Sequence, residues 1–241
     1  MPDGFLVTFD DGAAGIVEAG KILAQLGTAG VAFICPGALR SGLWFYRLAD
    51  GLSRTPVPRL IFRRFNLSLA TATDRFDAYR ALSTELFDAS CAVRDELLAE
   101  LLDTMELPTG DPNPALTTLD ETGLHRAAET GGLFFANHSW SHPNLVNLSA
   151  TELEREIGAA QSWLEESGLP ILPWFAFPRG THDARVRRAV ASVCPIAFGA
   201  SASKSEAQVL PRTYLCQADS NRLRFAAKTA WRGRFRRLLL R

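Results

Sequence analysis

Apolar positions in this chain switch between two periods. Phe5-Leu6-Val7-Thr8-Phe9 is a short apolar run closed by Asp10-Asp11-Gly12, the pattern of a buried strand. Ile16, Ala19, Ile22, Leu23 and Leu26 then recur at helical spacing, and Gly27 and Gly30 bound the end of that helix. Val31-Ala32-Phe33-Ile34-Cys35 is a second strand-like run, stopped by Pro36-Gly37. Strand, helix and strand within about thirty residues predict a βαβ unit and a parallel sheet. The alternation resumes with Thr118-Leu119-Asp120-Glu121, which reads as a capping box opening a helix that Gly131-Gly132 ends. Leu133-Phe134-Phe135-Ala136-Asn137 reads as a strand. Ser149-Ala150-Thr151-Glu152 is a second capping box, and Leu153, Ile157, Ala160 and Leu164 turn one face of its helix to the sheet. Trp174-Phe175-Ala176-Phe177 is a strand ended by Pro178, Val186, Val190 and Val193 predict a helix, and Ile196-Ala197-Phe198 a short strand. Repeated strand–helix pairs predict an α/β barrel or a doubly wound sheet.

The pattern breaks between residues 38 and 116. Leu43-Trp44-Phe45-Tyr46 and Leu48 start an apolar stretch, Pro56 and Pro58 interrupt it, and a helical region runs from Asp74 to Met105 with a stripe of Leu97, Leu98, Leu101 and Leu102. Residues 107–114 read as loop. The whole stretch is expected to be a helical insertion between two sheet strands, inside a single domain spanning residues 1–241.

Composition narrows the class. The chain has 241 residues, 47% of them apolar, enough for a sizeable core. Its 26 Lys and Arg balance 26 Asp and Glu, so nothing draws it globally to nucleic acid or to an anionic membrane. Cys35, Cys91, Cys194 and Cys216 form no CxxC pair, which favours reduced core thiols over a zinc ribbon or a disulfide framework. Met1-Pro2-Asp3-Gly4 lacks a basic region followed by an apolar one, and no apolar run of about 18 residues exists, so the expectation is a cytoplasmic protein without a transmembrane segment. A strand beginning at Phe5, almost at the first residue, is compatible with a further segment upstream.

In α/β architectures, functional residues collect at the carboxyl ends of the strands. Three polar clusters fall there: Asp10-Asp11, His138-Ser139-Trp140-Ser141-His142, and Pro178-Arg179-Gly180-Thr181-His182-Asp183. Residues four apart in a strand sit about 13 Å from each other, too far to share an ion. On one helical turn their Cβ atoms lie about 5–6 Å apart, so a single turn carrying His138 and His142, stopped by Pro143, would let both rings meet a metal. Asp10 and Asp11 leave a strand end in different directions. One can complete a site of two histidines and one carboxylate while the other approaches a water on the ion; alternatively, Asp-Asp-Gly is turn and capping chemistry.

These residues resemble the polysaccharide deacetylases, carbohydrate esterase family 4, also called the NodB-homology domain. Thr8-Phe9-Asp10-Asp11-Gly12 matches that family's first motif. His138-Ser139-Trp140-Ser141-His142, continued by Pro143-Asn144-Leu145, matches the second, and Phe175-Ala176-Phe177-Pro178-Arg179-Gly180 is similar to the third. Leu210-Pro211-Arg212 and the insertion after Leu43-Trp44 are similar to features of longer bacterial members. The resemblance implies a distorted (β/α) barrel of about seven strands that removes acetyl groups from an N-acetylated sugar or polysaccharide. It implies a divalent metal, most often Zn2+, with Co2+ as a substitute, held by Asp11, His138 and His142. Asp10 would be the general base, and a backbone N–H near Arg179 would meet the oxyanion.

The chain departs from the family pattern in three places, one of them Arg179 where the third motif usually has a tyrosine. Phe175 and Ala176 stand where an arginine usually supports the base, a role that Arg212 would have to supply. No histidine follows His182, so the family's late catalytic acid has no counterpart, and His182 is the strand-end candidate. Among the aromatics, Trp140, between the two metal-ligand candidates, is the one expected at a sugar site; Trp44, Tyr46 and Trp174 read as core. The basic segment 231–241 reads as a final helix with its arginines in water. Rival readings are a metal- and glycan-binding pseudoenzyme, and an amidase acting on a small or lipid-linked substrate.

Overall fold

The computed structural model describes residues 6–39, 41–199, 209–213 and 215. Phe5, Cys216 and the segment 231–241 lie outside the described residues. Strands β1 (Val7–Phe9), β2 (Gly30–Ile34), β5 (Leu133–Asn137), β6 (Ile171–Ala176), β7 (Ile196–Gly199) and β8 (Val209–Pro211) form one sheet in the order β1-β2-β5-β6-β7-β8, every pair parallel. Strands β3 (Arg59–Phe62) and β4 (Phe65–Ser68) form a separate antiparallel hairpin. Helices α1 (Ile16–Gln25), α5 (Glu121–Ala128), α6 (Ala150–Glu166) and α7 (Ala184–Ala191) connect the sheet strands, while α2 (Trp44–Arg54), α3 (Ala72–Asp88) and α4 (Cys91–Asp103) lie with the hairpin in the segment between β2 and β5. Among the described residues the result is a parallel half-barrel of six strands with helices, consistent with the distorted barrel that the resemblance implied. Among the described residues, no helix is long and apolar enough to cross a membrane.

Strand pleating sorts the core into two layers. Ala32, Ile34 and Phe135 pack outward with Ile16 and Leu23 of α1 and Leu124 of α5, and Phe175 and Ala197 pack outward with α6 and α7. Their neighbours Val31, Phe33, Ala136, Ala176 and Phe198 pack together on the other face, inside the half-barrel. A strand buried on both faces reads as a continuous apolar run, which is why β2 is so plain in the sequence. The insertion has its own core, in which Leu48, Leu60, Leu82, Leu86, Leu98 and Leu101 are almost fully buried.

Three expectations are corrected. The region from Asp74 to Met105 is two helices, broken at Ala89-Ser90. The hairpin was not foreseen, because its two-residue turn is Arg63-Arg64 rather than a sequence with Asn or Gly, and Arg63 takes φ +50°. Thr118 does not cap α5: the helix begins three residues later with Asp120 as its cap, accepting from the Gly123 amide at 2.7 Å, while the Thr118 hydroxyl donates to the Ala38 carbonyl. The Ser149–Glu152 capping box forms in full at the start of α6.

Leu98→Ala, in the fully buried core of the insertion, is expected to destabilise the fold by about 2–5 kcal/mol. Urea unfolding checks this; a loss well below that range would mean that the insertion is more loosely packed than described.

Candidate metal centre

The pleat that builds the core also aims the first candidate ligand. Asn137 is wholly buried and turns toward α6, where its amide donates to the Ile157 carbonyl at 3.0 Å. His138, one residue on, therefore continues the inner face of Ala136, and its ring centroid lies 6.5 Å from that of Phe33. The Nδ1 of His138 sits 2.7 Å from the Ala176 carbonyl at the end of β6. A carbonyl can only accept, so Nδ1 carries the proton and Nε2 presents its lone pair to the barrel mouth.

The second motif is not a helical turn. Ser139 and His142 have φ values of +69° and +56°, and residues 138–142 form an irregular loop. The Asn137 side chain accepts from the Ser139 amide and the Ser139 hydroxyl accepts from the His142 amide, so these local bonds replace the helical pattern. Holding a non-glycine residue in the left-handed region costs on the order of 1–3 kcal/mol, and one hydrogen bond contributes about 1 net. The loop thus depends on many partners at once. It brings the two imidazoles to 5.0 Å between centroids, inclined at 75°.

The acidic pair arrives from β1. Asp11 takes φ +74° and Gly12 φ +67°, and a Cβ on Gly12 would meet the Ile34 side chain at 3.3 Å, so a tight turn there requires glycine. The turn places Asp11 Oδ1 3.5 Å from His138 Nε2 and 3.6 Å from His142 Nε2. Those separations are too long for hydrogen bonds. They match two ligands each about 2.0–2.2 Å from one tetrahedral ion, which stand about 3.4 Å apart. Asp11 Oδ1 and His142 Nδ1 are buried and have no hydrogen-bond partner among the described residues. Asp11, His138 and His142 are thus a compact set of donors that fits a divalent cation of the zinc type, and they are the three residues that the resemblance implied as ligands.

Asp10 lies beside this set, with Oδ2 3.8 Å from His138 Nε2. Arg212, just after β8, donates to both its oxygens, at 2.5 and 2.8 Å. The same guanidinium lies 5.4 Å above the Phe33 ring. This forked pair joins the two edge strands of the described sheet at their carboxyl ends. Burial would raise the Asp10 carboxyl, but His138 and Arg212 outweigh it and hold it below the usual carboxylate value. Asp11 has no such donor: burial, reinforced by Asp10 and only partly offset by His138 and Arg212, pushes it up to about 6. Burial, together with His138, lowers the His142 imidazole well below the ordinary histidine value.

The other candidates have different surroundings. Arg179, at φ +51° after β6, lays its guanidinium 4.4 Å from the Phe87 ring centroid and 5.5 Å from that of Trp44. Trp140 packs its indole against Gly37, where a Cβ would come within 2.4 Å of Nε1. His182 stacks on Phe177 at 4.4 Å, with Nδ1 2.9 Å from the Gly180 carbonyl. The sequence reading did not single out Arg94, Asn137 or Glu156, which bond to the second-motif loop; their types carry no spacing signal, since each comes from a different element.

Comparison with known proteins finds similarity to deacetylases. The sequence model of the polysaccharide deacetylase family matches residues 102–194, which include the two histidines and Arg179 but not the Asp10-Asp11 pair. Streptococcus pyogenes deacetylase PplD, solved in complex with acetate, is similar over 86% of this chain and 62% of its own, with 13% identity and a TM-score of 0.50. A family 4 carbohydrate esterase from Streptomyces lividans covers 96% of this chain and 90% of its own, with 15% identity and a TM-score of 0.43. The likeness to the polysaccharide deacetylase family is thus one of sequence over residues 102–194 and of fold over most of the chain. It spans 62% of the length of the streptococcal protein.

Cation affinity is expected to follow the Asp11 proton. A raised carboxylate must lose its proton to bind, so affinity should fall roughly tenfold for each pH unit below about 6 and level off above it. Calorimetric titration with Co2+ at several pH values checks this, and a flat profile through 6 would contradict it.

Proposed function

We propose that the chain is a metal-dependent hydrolase that removes acetyl groups from an N-acetylated sugar or polysaccharide, cleaving a carbon–nitrogen bond outside peptides. The observation that carries this reading is the meeting of Asp11, His138 and His142 beside an Asp10 already paired with Arg212. Asp11, His138 and His142 would hold the divalent cation, Zn2+ or Co2+, which when bound acidifies a water and polarises the acetamide carbonyl. Asp10 takes the proton of the attacking water. Arg212 keeps that carboxylate ionised and fixes both its oxygens, so it is oriented before substrate arrives. The backbone N–H near Arg179 donates to the oxyanion. Trp140 borders the loop that carries both ligands and would form one side of the glycan site.

The proton for the departing amine is the open step. His182 is the candidate at a strand end, yet its Nδ1 is committed to Gly180 and its face to Phe177. That commitment favours a second reading, in which the chain binds cation and glycan without turnover. An amidase acting on a small or lipid-linked substrate would use the same centre, and a panel of short substrates distinguishes it.

Acetate release from N-acetylglucosamine oligomers with added Zn2+ or Co2+ tests the proposal. Asp10→Asn should abolish release and retain the cation, whereas His138→Ala should lose the cation. Full activity in Asp10→Asn would overturn the assignment of the base, and no release from any glycan by cation-loaded protein would favour the non-catalytic reading.

Arg212→Met should raise the Asp10 carboxyl, because the hydrogen bonds and charge with which Arg212 opposes burial are then lost. The acidic limb of the pH–rate profile should move to higher pH. An unmoved limb would mean that another group sets it.

A further inference from the structure

The loop carrying His138 and His142 is moulded from outside. Its backbone is bonded to five separate elements. The His138 amide donates to the Ile34 carbonyl in β2, and the Trp140 carbonyl accepts from Gly37. The Ser141 amide donates to Glu156 Oε2 of α6 at 2.9 Å, and the Ser141 hydroxyl donates to Oε1 at 2.8 Å. Arg94 of α4 reaches the Ser141 carbonyl and hydroxyl, both at 3.4 Å. The Trp44 indole of α2 donates to the His142 carbonyl at 3.1 Å.

Arg94 and Glu156 stand out in this set. Both are charged and almost fully buried, at 3% and 8% exposure, and both converge on Ser141, the residue before His142. Charged side chains are buried only when paired or heavily hydrogen-bonded, and here much of that bonding is to one serine. The Arg94 guanidinium also lies 5.8 Å from the Trp44 ring centroid, so α2 and α4 of the insertion act on the loop together. A third anchor follows: Asp88, at the end of α3, accepts from the Asn144 amide at 3.0 Å.

We infer that Arg94 and Glu156 are positioning residues for the metal centre: they grip Ser141 from opposite elements and so hold His142 in the left-handed conformation that turns its imidazole toward Asp11. The helical insertion then has a definite task, as the outer wall of the ligand loop. This inference rests on the reading of Asp11, His138 and His142 as cation donors.

The test uses the full chain with Co2+ as the probe. Affinity and the visible absorption spectrum of the Co2+ form are measured for Arg94→Met, Glu156→Ala and Glu156→Gln, with the thermal midpoint of the cation-free protein alongside. Arg94→Met and Glu156→Ala are expected to weaken Co2+ binding by about 10–100-fold and to alter the spectrum, as losses around metal ligands do. Glu156→Gln, which still offers an oxygen to the Ser141 amide, should recover part of the affinity. Leu82→Ala, buried in the insertion core away from the loop, should lower the midpoint and leave affinity unchanged. Wild-type affinity and spectrum in Arg94→Met and Glu156→Ala, or an equal loss in Leu82→Ala, would overturn the inference.

Hydrogen exchange at the Ser141 and His142 amides separates this from the cation reading. If the wild-type chain takes up no Co2+, that reading fails, and the grip is judged by exchange alone: selective loss of protection at these two amides in the variants supports it, and unchanged protection overturns it. The same criterion decides for any variant too unstable to titrate, using Arg94→Lys and Glu156→Gln in its place.

Discussion

Three donor atoms gathered in a buried mouth, with Asp11 Oδ1 3.5 and 3.6 Å from the two imidazole nitrogens, set the terms for everything around them. They are too far apart to bond and too enclosed to be well solvated, so placing them together is unfavourable unless a cation completes the set. The Asp11 carboxyl raised to about 6 and the depressed His142 imidazole express the same cost in protonation. The remainder of the architecture supplies the rigidity that this arrangement demands.

That rigidity has two sources. One is the parallel sheet, whose pleat turns Phe33, Ala136, Ala176 and His138 to one side and Asn137 to the other. The other is side-chain bonding from remote chain: the Ala176 carbonyl fixes the His138 tautomer, and Arg212 fixes Asp10 from about two hundred residues away. The forked Asp10–Arg212 pair also links the first and last strands of the described sheet, so closure of the barrel mouth and orientation of the acidic group come from one interaction. An Arg–carboxylate fork suits this double duty because its geometry is planar and directional.

The insertion illustrates how a fold recruits added structure. It carries its own apolar core, yet α2, α3 and α4 each send a polar contact to the loop between β5 and α6, through Trp44, Asp88 and Arg94. A left-handed histidine in a loop without glycine at that position needs such external bonding, and α6 contributes the opposing hold through Glu156.

Much of this was legible in the amino-acid order. The βα alternation, the Ser149–Glu152 cap and strands β2, β5 and β7 follow from local periodicity, and Asp10-Asp11 and His138–His142 announce themselves by type and spacing. What stayed hidden is whatever depends on bonds between distant segments. The Arg63-Arg64 hairpin lacks a local turn signal, Thr118 gives its cap to Asp120, and the histidine loop takes an irregular path that external partners impose on it. Local propensity sets which elements form and which face is apolar, because both depend on near neighbours. The mutual placement of Asp11, His138, His142, Asp10 and Arg212 belongs to the tertiary structure, because backbone strain and buried charge are stabilised only by groups that the folded chain brings together.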